Sequence, residues 1–526
     1  MSYQLSPSKQ YTPPYLTNTL QVGKLHPNNN NNKQHHHHLT TTMSTATPTN
    51  PLPTTTTTTT TKPLPLILIL CTTSTAPGHV LPLTAIARHL TARHYPVTFL
   101  GAPQHRALIE ASGASFLPVC DALTLEHGPY RRWGAERARY AEGVPRMVYD
   151  FGTFFVGQIK GQVQSTRRAL EVVKTGVGKG REVVVLCETM WFGYLPWKWG
   201  AERPVGWAEG EAMPRSLGVN VTPLMLDGEG VPPFPLGLLP GEGERVVERD
   251  GLLREWLYGY VVREAYDGFR ERIREAGGEE VPDEWMINLS VTAHDTTLQL
   301  CHPALEYPRP DLPAHVKFAG SLPPSKVVPP GFVFPEWWKR EVVESPAKPR
   351  IVVVSQGTLA RDYSMLLAPT IRALAGRKDM LVVALLGKQG LEIPPGLLPA
   401  PEEGVNLDNI HVVDFFPYDS LLSYADVMVF NAGYGGFMHC VVNGVPMVAA
   451  GLTEDKCEVA ARVEWTGVGI NLRTGRPSPS AVASAVDRIF DSEGKYGARV
   501  KELAVEVAKG NPLEVVEREL LALVQG

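Results

Sequence analysis

The chain has 526 residues, a length that allows roughly two to four domains. An apolar share of 43% and a charged share of 20% are those of a globular protein, and a net charge of −4 speaks against a nucleic-acid binder or a polybasic membrane contact. Six scattered cysteines (71, 120, 187, 301, 440 and 457) form no C-x-x-C pair, which suits buried thiols in a reducing compartment better than a disulfide framework or a zinc site.

Residues 1–62 hold an Asn run (28–32), four histidines (35–38) and a Thr run (54–61), with almost no apolar periodicity. Such a segment buries too little surface to offset its ordering entropy, so a disordered low-complexity tail is expected, adventitious metal binding by the histidines being the lesser alternative. Leu64 to Cys71 (LPLILILC) lies too far from the N-terminus for a signal peptide and runs into a Gly-His turn and an amphipathic helix, so it reads as a buried strand. No run approaches the roughly 20 apolar residues of a membrane span. A cytoplasmic protein is expected, with the Asn220 and Asn288 sequons unglycosylated.

After the strand at 66–71 come Pro77-Gly78-His79 and a helix with Leu83, Ile86, Ala87 and Leu90 on one face. A strand over 97–100 and a helix over 104–112 follow. Residues 121–180 read as helical and aromatic-rich, with Tyr130, Trp133, Tyr140, Tyr149, Phe151, Phe154 and Phe155. Another buried strand, 182–187, ends at Glu188. Proline-rich loops and a charged helix around 251–276 fill 200–290. Residues 308–349 contain ten prolines and end in Pro346-Ala347-Lys348-Pro349, a linker pattern. Fresh alternation then begins: strand 351–355, Gln356-Gly357-Thr358, helix 364–375 and strands and helices onward to 468–472. Strand–helix alternation predicts parallel, doubly wound sheets.

The stretch FNAGYGGFMHCVVNGVPMVAAGLTEDKCEVAARV, Phe430 to Val463, is the most informative. A strand runs into a turn containing Gly433, Gly435 and Gly436 that opens a helix, and a helix N-terminus above a strand favours phosphate. A second strand leads to Glu454-Asp455-Lys456. The pattern resembles the nucleotide-sugar signature of the UDP-dependent glycosyltransferases of the GT-B fold, and the resemblance covers nearly everything after residue 62. Against the family's Thr-His-Gly-Gly-x-x-Ser-x-x-Glu, Asn431 stands at the His, Gly436 at the Ser and His439 at the Glu. Asp455 matches the family's Asp, and Lys456 stands where Gln is usual. Asp414-Phe415-Phe416-Pro417 matches the base-stacking box. The variants look like a fungal and bacterial subgroup acting on lipophilic small molecules.

The resemblance implies two Rossmann-like halves facing across a cleft: 63–320 for the acceptor, a linker at 321–349, 350–497 for the nucleotide sugar, and 498–526 crossing back. It implies an inverting transfer of a hexose from a UDP-sugar to a hydroxyl of an apolar molecule, with His79 as general base and Glu188 orienting it. Gly357, Thr358, Phe415, Asn431, Gly433, Gly435, Gly436, His439, Asp455 and Lys456 would hold the donor. Aromatic residues near 130–155 and 191–207 would line an acceptor pocket, core packing being their ordinary role. A histidine at the carboxyl edge of a sheet can take a hydroxyl proton, and a capping histidine without chemistry is the alternative. With no Asp-x-Asp motif, leaving-group stabilisation by amides is expected, with no metal or cofactor beyond the UDP-sugar co-substrate. Rival readings are a dehydrogenase, which lacks its G-x-G-x-x-G, and a non-catalytic sugar-nucleotide or lipid sensor that keeps the fold.

Removal of residues 1–62 is expected to leave the thermal midpoint within about 2 °C and turnover unchanged, because the first strand starts at Leu66. Paired thermal melts and rate assays of the full and shortened chains check this.

Overall fold

The computed structural model describes residues 63–72, 77–124, 136–325, 328–329, 331–346, 348–358, 360–400, 403–492 and 494–525, so the tail expected at 1–62 lies outside it. Two parallel sheets organise the chain. The first contains β1 (Leu66–Leu70), β2 (Val97–Gly101), β3 (Ser115–Pro118), β4 (Val183–Glu188), β5 (Ser216–Asn220), β6 (Thr296–Gln299) and β7 (Val316–Phe318), in the spatial order β3-β2-β1-β4-β5-β6-β7. The second contains β8 (Arg350–Ser355), β9 (Met380–Leu385), β10 (Ile410–Val413), β11 (Val427–Phe430), β12 (Met447–Ala449) and β13 (Gly469–Asn471), in the order β10-β9-β8-β11-β12-β13.

Both sheets are covered on two faces, which is why their central strands are apolar throughout. Side chains alternate across β1: Leu66, Leu68 and Leu70 enter one core, and Ile67 and Ile69 the other. β8 does the same, with Val353 in one core and Val352 and Val354 in the other. Each such fully buried aliphatic side chain contributes roughly 1.5–3 kcal/mol.

β3, β5, β6 and β7 are absent from the periodicity because they are short and mixed in polarity. Ser216, Asn220, Thr297 and Gln299 are buried polar residues in strands. Each finds a partner: Asn220 Nδ2 donates to Gln299 Oε1 at 2.5 Å, Thr189 Oγ1 to Asn220 Oδ1 at 2.9 Å, Ser216 Oγ to Asp295 Oδ2 at 3.1 Å and Thr297 Oγ1 to Val291 O at 2.6 Å. Both sequon asparagines, Asn220 and Asn288, are buried. The charged helix expected around 251–276 is two helices, Glu244–Trp256 and Arg263–Glu275, separated by a wide turn.

The segment expected as a linker, 321–349, packs as well as connects. Trp338 and Val342 are buried in the core of the second sheet. The segment expected to cross back, 498–526, divides at Gly510. Helix Lys495–Val507 sends Val500, Leu503 and Val507 into the second half's core, and only Pro512–Gln525 crosses to bury Val516 and Leu520 against the first sheet. All six cysteines are free thiols, and no helix among the described residues is long and apolar enough to cross a membrane.

One buried arginine joins the halves. Arg462, on helix Lys456–Thr466, pairs with Glu306 at 2.7 Å and Glu458 at 3.3 Å, donates to Leu224 O at 3.0 Å and lies 4.4 Å over the Tyr307 ring. Glu458 also accepts from the Gly237 N–H at 2.8 Å. Arg462→Met keeps volume but strands two buried carboxylates, so it should cost roughly 3–5 kcal/mol of stability. Denaturant unfolding of wild type and variant measures that difference.

Candidate active site

The strand order reverses between β1 and β4, the place where doubly wound sheets bind ligands at the carboxyl ends of their strands. Leu70 is in register with Cys187, so the segments leaving β1 and β4 emerge side by side. His79 stands in the first turn of helix Pro77–Ala92, and Glu188 is the last residue of β4. His79 Nδ1 lies 3.3 Å from Glu188 Oε1, with the imidazole about a quarter exposed and the carboxylate fully buried. The contact is an ion-pair approach without hydrogen-bond alignment, and Glu188 Oε2 has no partner of its own. Glu188 Oε1 also accepts from the Met190 N–H at 3.1 Å, which fixes the carboxylate. Burial pulls the His79 pKa down, but the Glu188 charge and contact and the nearby Asp455 charge outweigh it and hold the imidazole above its ordinary value.

The second sheet reverses between β8 and β11, and register again levels the loops. Phe430 is paired with Ser355 on one side and Ala449 on the other. Gln356-Gly357, Asn431–Gly433 and Ala450-Gly451 therefore leave the sheet together. Asn431 Nδ2 donates to Gln356 O at 2.6 Å, stitching two of these loops. A small cavity behind them is lined by Gln356, Asn431, Gly451, Thr453, Lys456 and Gly475, among others.

Helix Tyr434–Asn443 starts from Gly433 with no side-chain cap, so its first amides are left for a ligand. The glycines here have different reasons. A Cβ on Gly435 would meet nothing within 4 Å, which leaves space for a ligand, whereas one on Gly436 would lie 3.1 Å from the Phe430 ring. Gly433 has φ −69° and no conformational need of glycine. The strained residue is Ala432, at φ +58°, where a left-handed conformation costs roughly 1–2 kcal/mol.

Around this shelf stand the other expected residues. Gly357 has φ +71°, and its N–H donates to Ser355 Oγ at 3.1 Å; Thr358 is half-buried beside it. Phe415 is half-buried, edge-on to Phe332 at 5.9 Å. His439 is committed on one side: Nδ1 meets Asp419 Oδ1 at 2.8 Å, and the ring stacks near Tyr418 at 5.5 Å. Asp419 also accepts from Asn443 and Ser325, an arrangement that the sequence motif did not reveal.

In the loop after β12, Lys456 is engaged by Glu454 and lies 3.3 Å from Thr453 Oγ1. Burial pushes Glu454 upward, yet Lys456 and Arg137 bring it down to about 2. Asp455 is half-buried at the start of helix Lys456–Thr466 without capping it. Its carboxyl is raised by burial, opposed by Lys456 and His79. His79 and Asp455 thus sense one another although they belong to different sheets.

The aromatic expectation separates into two parts. Trp191, Phe192, Tyr194 and Trp197 are buried in the core of the first sheet, so they pack. Tyr130 and Trp133 lie outside the described residues. Tyr140 is exposed and stacks on Tyr149 at 4.5 Å, while Phe154 and Phe155 are half-buried. Residues missed from sequence are Gly451, Gln356 and Arg137. Gln356 Oε1 accepts from the Leu366 and Leu367 amides, and Gly451 has no motif to mark it.

Residues 401–523 match the family model of the erythromycin biosynthesis protein CIII-like C-terminal domain. UDP-glucosyltransferase 1 of Beauveria bassiana (strain ARSEF 2860) is 39% identical over 455 residues, 85% of this chain and 93% of that protein. UDP-glucosyltransferase A1 of Starmerella bombicola is 31% identical over 445 residues, 84% of this chain and 89% of that protein. The crystal structure of the glycotransferase of kitacinnamycin shares the fold, with a TM-score of 0.59 and 19% identity over 87% of this chain and 100% of that chain.

A Cβ at Gly451 would fall 2.2 Å from Asn431 O and 2.9 Å from Lys456 Cβ. Gly451→Ala should therefore destabilise the chain by roughly 1–3 kcal/mol. Gly435→Ala, in open space on a helix, should be neutral or stabilising by up to about 1 kcal/mol. Denaturant unfolding of both variants distinguishes steric from ligand-facing glycines.

Proposed function

The chain belongs to the UDP-glycosyltransferases of the GT-B fold, and from that premise we propose an inverting transfer of a hexose from a UDP-sugar to a hydroxyl of a hydrophobic small molecule, with His79 as general base. The observation that carries the reading is the His79–Glu188 approach at 3.3 Å beside Asp455. Glu188 faces Nδ1 and favours the tautomer with its proton there, which leaves Nε2 to accept one. Nε2 takes the acceptor hydroxyl's proton as the oxygen attacks the anomeric carbon. The bond from that carbon to the diphosphate breaks on the opposite face, and UDP leaves with the electron pair.

Division of labour follows the two sheets. The amides of Tyr434, Gly435 and Gly436, with Gly357 and Thr358, bind the diphosphate without a divalent metal. Phe415 stacks on the base, and His439, held through Nδ1 by Asp419, offers Nε2 to a ribose hydroxyl. Asp455 accepts from sugar hydroxyls. Asn431 has one amide hydrogen bonded to Gln356 O, so it braces the shelf and has one hydrogen left for phosphate. Tyr140, Tyr149, Phe154 and Phe155 supply an apolar surface for the acceptor.

His79→Ala should lower turnover about 10²–10⁴-fold while UDP affinity stays within a few-fold. Asp455→Ala should weaken use of the UDP-sugar but not binding of UDP. Because the His79 pKa is raised, the rate should climb as pH passes a value above 6.5, where the imidazole becomes neutral. Any stability from the His79–Glu188 ion pair is complete below 6.5 and fades as pH rises through the raised value. Glu188→Gln should move the rate limb to lower pH. UDP release across donors, acceptors and pH measures the rates, with a chelator arm expected to change nothing, while UDP titration measures affinity and unfolding at several pH values measures stability. Near-normal turnover by His79→Ala would overturn the mechanism.

A further inference from the structure

Residues 136–150 of the first half reach the donor loops of the second at two points. Arg137 Nε lies 2.8 Å from Asp150 Oδ1 and 3.0 Å from Oδ2, and its Nη2 pairs with Glu454. Glu142 Oε1 lies 3.2 Å from Arg476 Nη2, and a Cβ on Gly475 would be 4.0 Å from Glu142 Oε2. The two links flank the cavity lined by Thr453, Lys456 and Gly475.

They differ in weight. Arg476 is half exposed and already serves Asp362 at 2.8 Å, so its pair with Glu142 is a surface contact of little energy. Arg137 is 16% exposed and is fixed by a buried aspartate. Asp150 begins a widened turn, Asp150–Val156, within the helical run from Val144 to Thr175. Such widened turns re-aim side chains and recur at functional sites. At the other end, Glu454 sits at φ +51°, a conformation disfavoured for a side-chain-bearing residue and kept only where surroundings impose it. Arg137 from one half and Lys456 from its own loop grip it. The next residue is Asp455, which shares an electrostatic field with His79.

We propose that Arg137 is a positioning residue for the donor sugar: by holding Glu454 across the cleft, it presents Asp455 to the hexose beside His79. The inference rests on the transferase reading above. It assigns the acceptor half a part in donor recognition, so the hexose is fully held only when both halves meet around it. UDP, which lacks the hexose, does not draw on this link.

The test uses the full chain and a UDP-sugar that wild type consumes. Arg137→Gln and Glu454→Gln should each raise the donor KM or lower kcat/KM about ten- to a hundredfold, the span of a charge-assisted hydrogen bond. The inhibition constant of UDP should stay within about twofold, since binding that is uniform across states is untouched. The double variant should be no worse than the poorer single one, because both remove the same contact. Arg137→Lys should recover most of the loss. Unchanged donor kinetics in Arg137→Gln would overturn the inference and leave the transferase reading intact. Equal losses of UDP and UDP-sugar binding would mark Arg137 as merely structural and also overturn it. Absence of UDP release by wild type would remove both readings. Should Arg137→Gln fail to fold, Glu454→Gln reads the same contact from the other side.

Discussion

The buried guanidinium of Arg462 is the constraint on which the arrangement of the two sheets depends. It reaches from helix Lys456–Thr466 to Glu306 and to the Leu224 carbonyl, both supplied by the first half. Burial raises the pKa of Glu306 and of Glu458, and Arg462 opposes the rise in each. A buried ion pair contributes little net stability against an apolar substitute, but it tolerates few geometries. Its value is directional. The same helix begins at the donor loop, so fixing its middle against the first half fixes where Asp455 points.

That geometry explains how two sheets make one site. In each, the strand order reverses at its centre, and the loops at the reversal hold the residues with proposed roles. The first sheet contributes His79, on the helix after β1, and Glu188, at the end of β4. The second contributes a shelf of amides levelled by the pairing of Ser355, Phe430 and Ala449. Two side-chain-bearing residues there, Ala432 and Glu454, are left-handed, and both stand next to residues with proposed ligand roles.

Charge is arranged so that opposing groups are never far apart. Glu454 has Arg137 and Lys456, Asp419 has His439, and Glu188 has His79. One oxygen at the site, Glu188 Oε2, is buried with no hydrogen-bond partner among the described residues. An unsatisfied carboxylate oxygen costs free energy and strengthens attraction for a positive charge on His79.

The sequence by itself determined the two parallel sheets, because strands covered on both faces must be apolar runs, as in LILIL at Leu66–Leu70 and RIVVVS at Arg350–Ser355. It also located His79, Glu188 and the Gly433–Gly436 turn, since carboxyl ends of strands followed by glycine and a helix are legible as local pattern. Short strands with buried polar residues escaped it: Asn220 and Gln299 look like loop residues until each is seen to satisfy the other. The Trp191–Trp197 aromatics likewise needed the core to decide between pocket and packing. Arg137 with Glu454, Arg462 with Glu306, and Gly451 under Asn431 are pairs far apart in the chain, and no local period encodes them. Only tertiary structure decided these contacts, because they exist where two independently patterned halves come within reach of one another's charges.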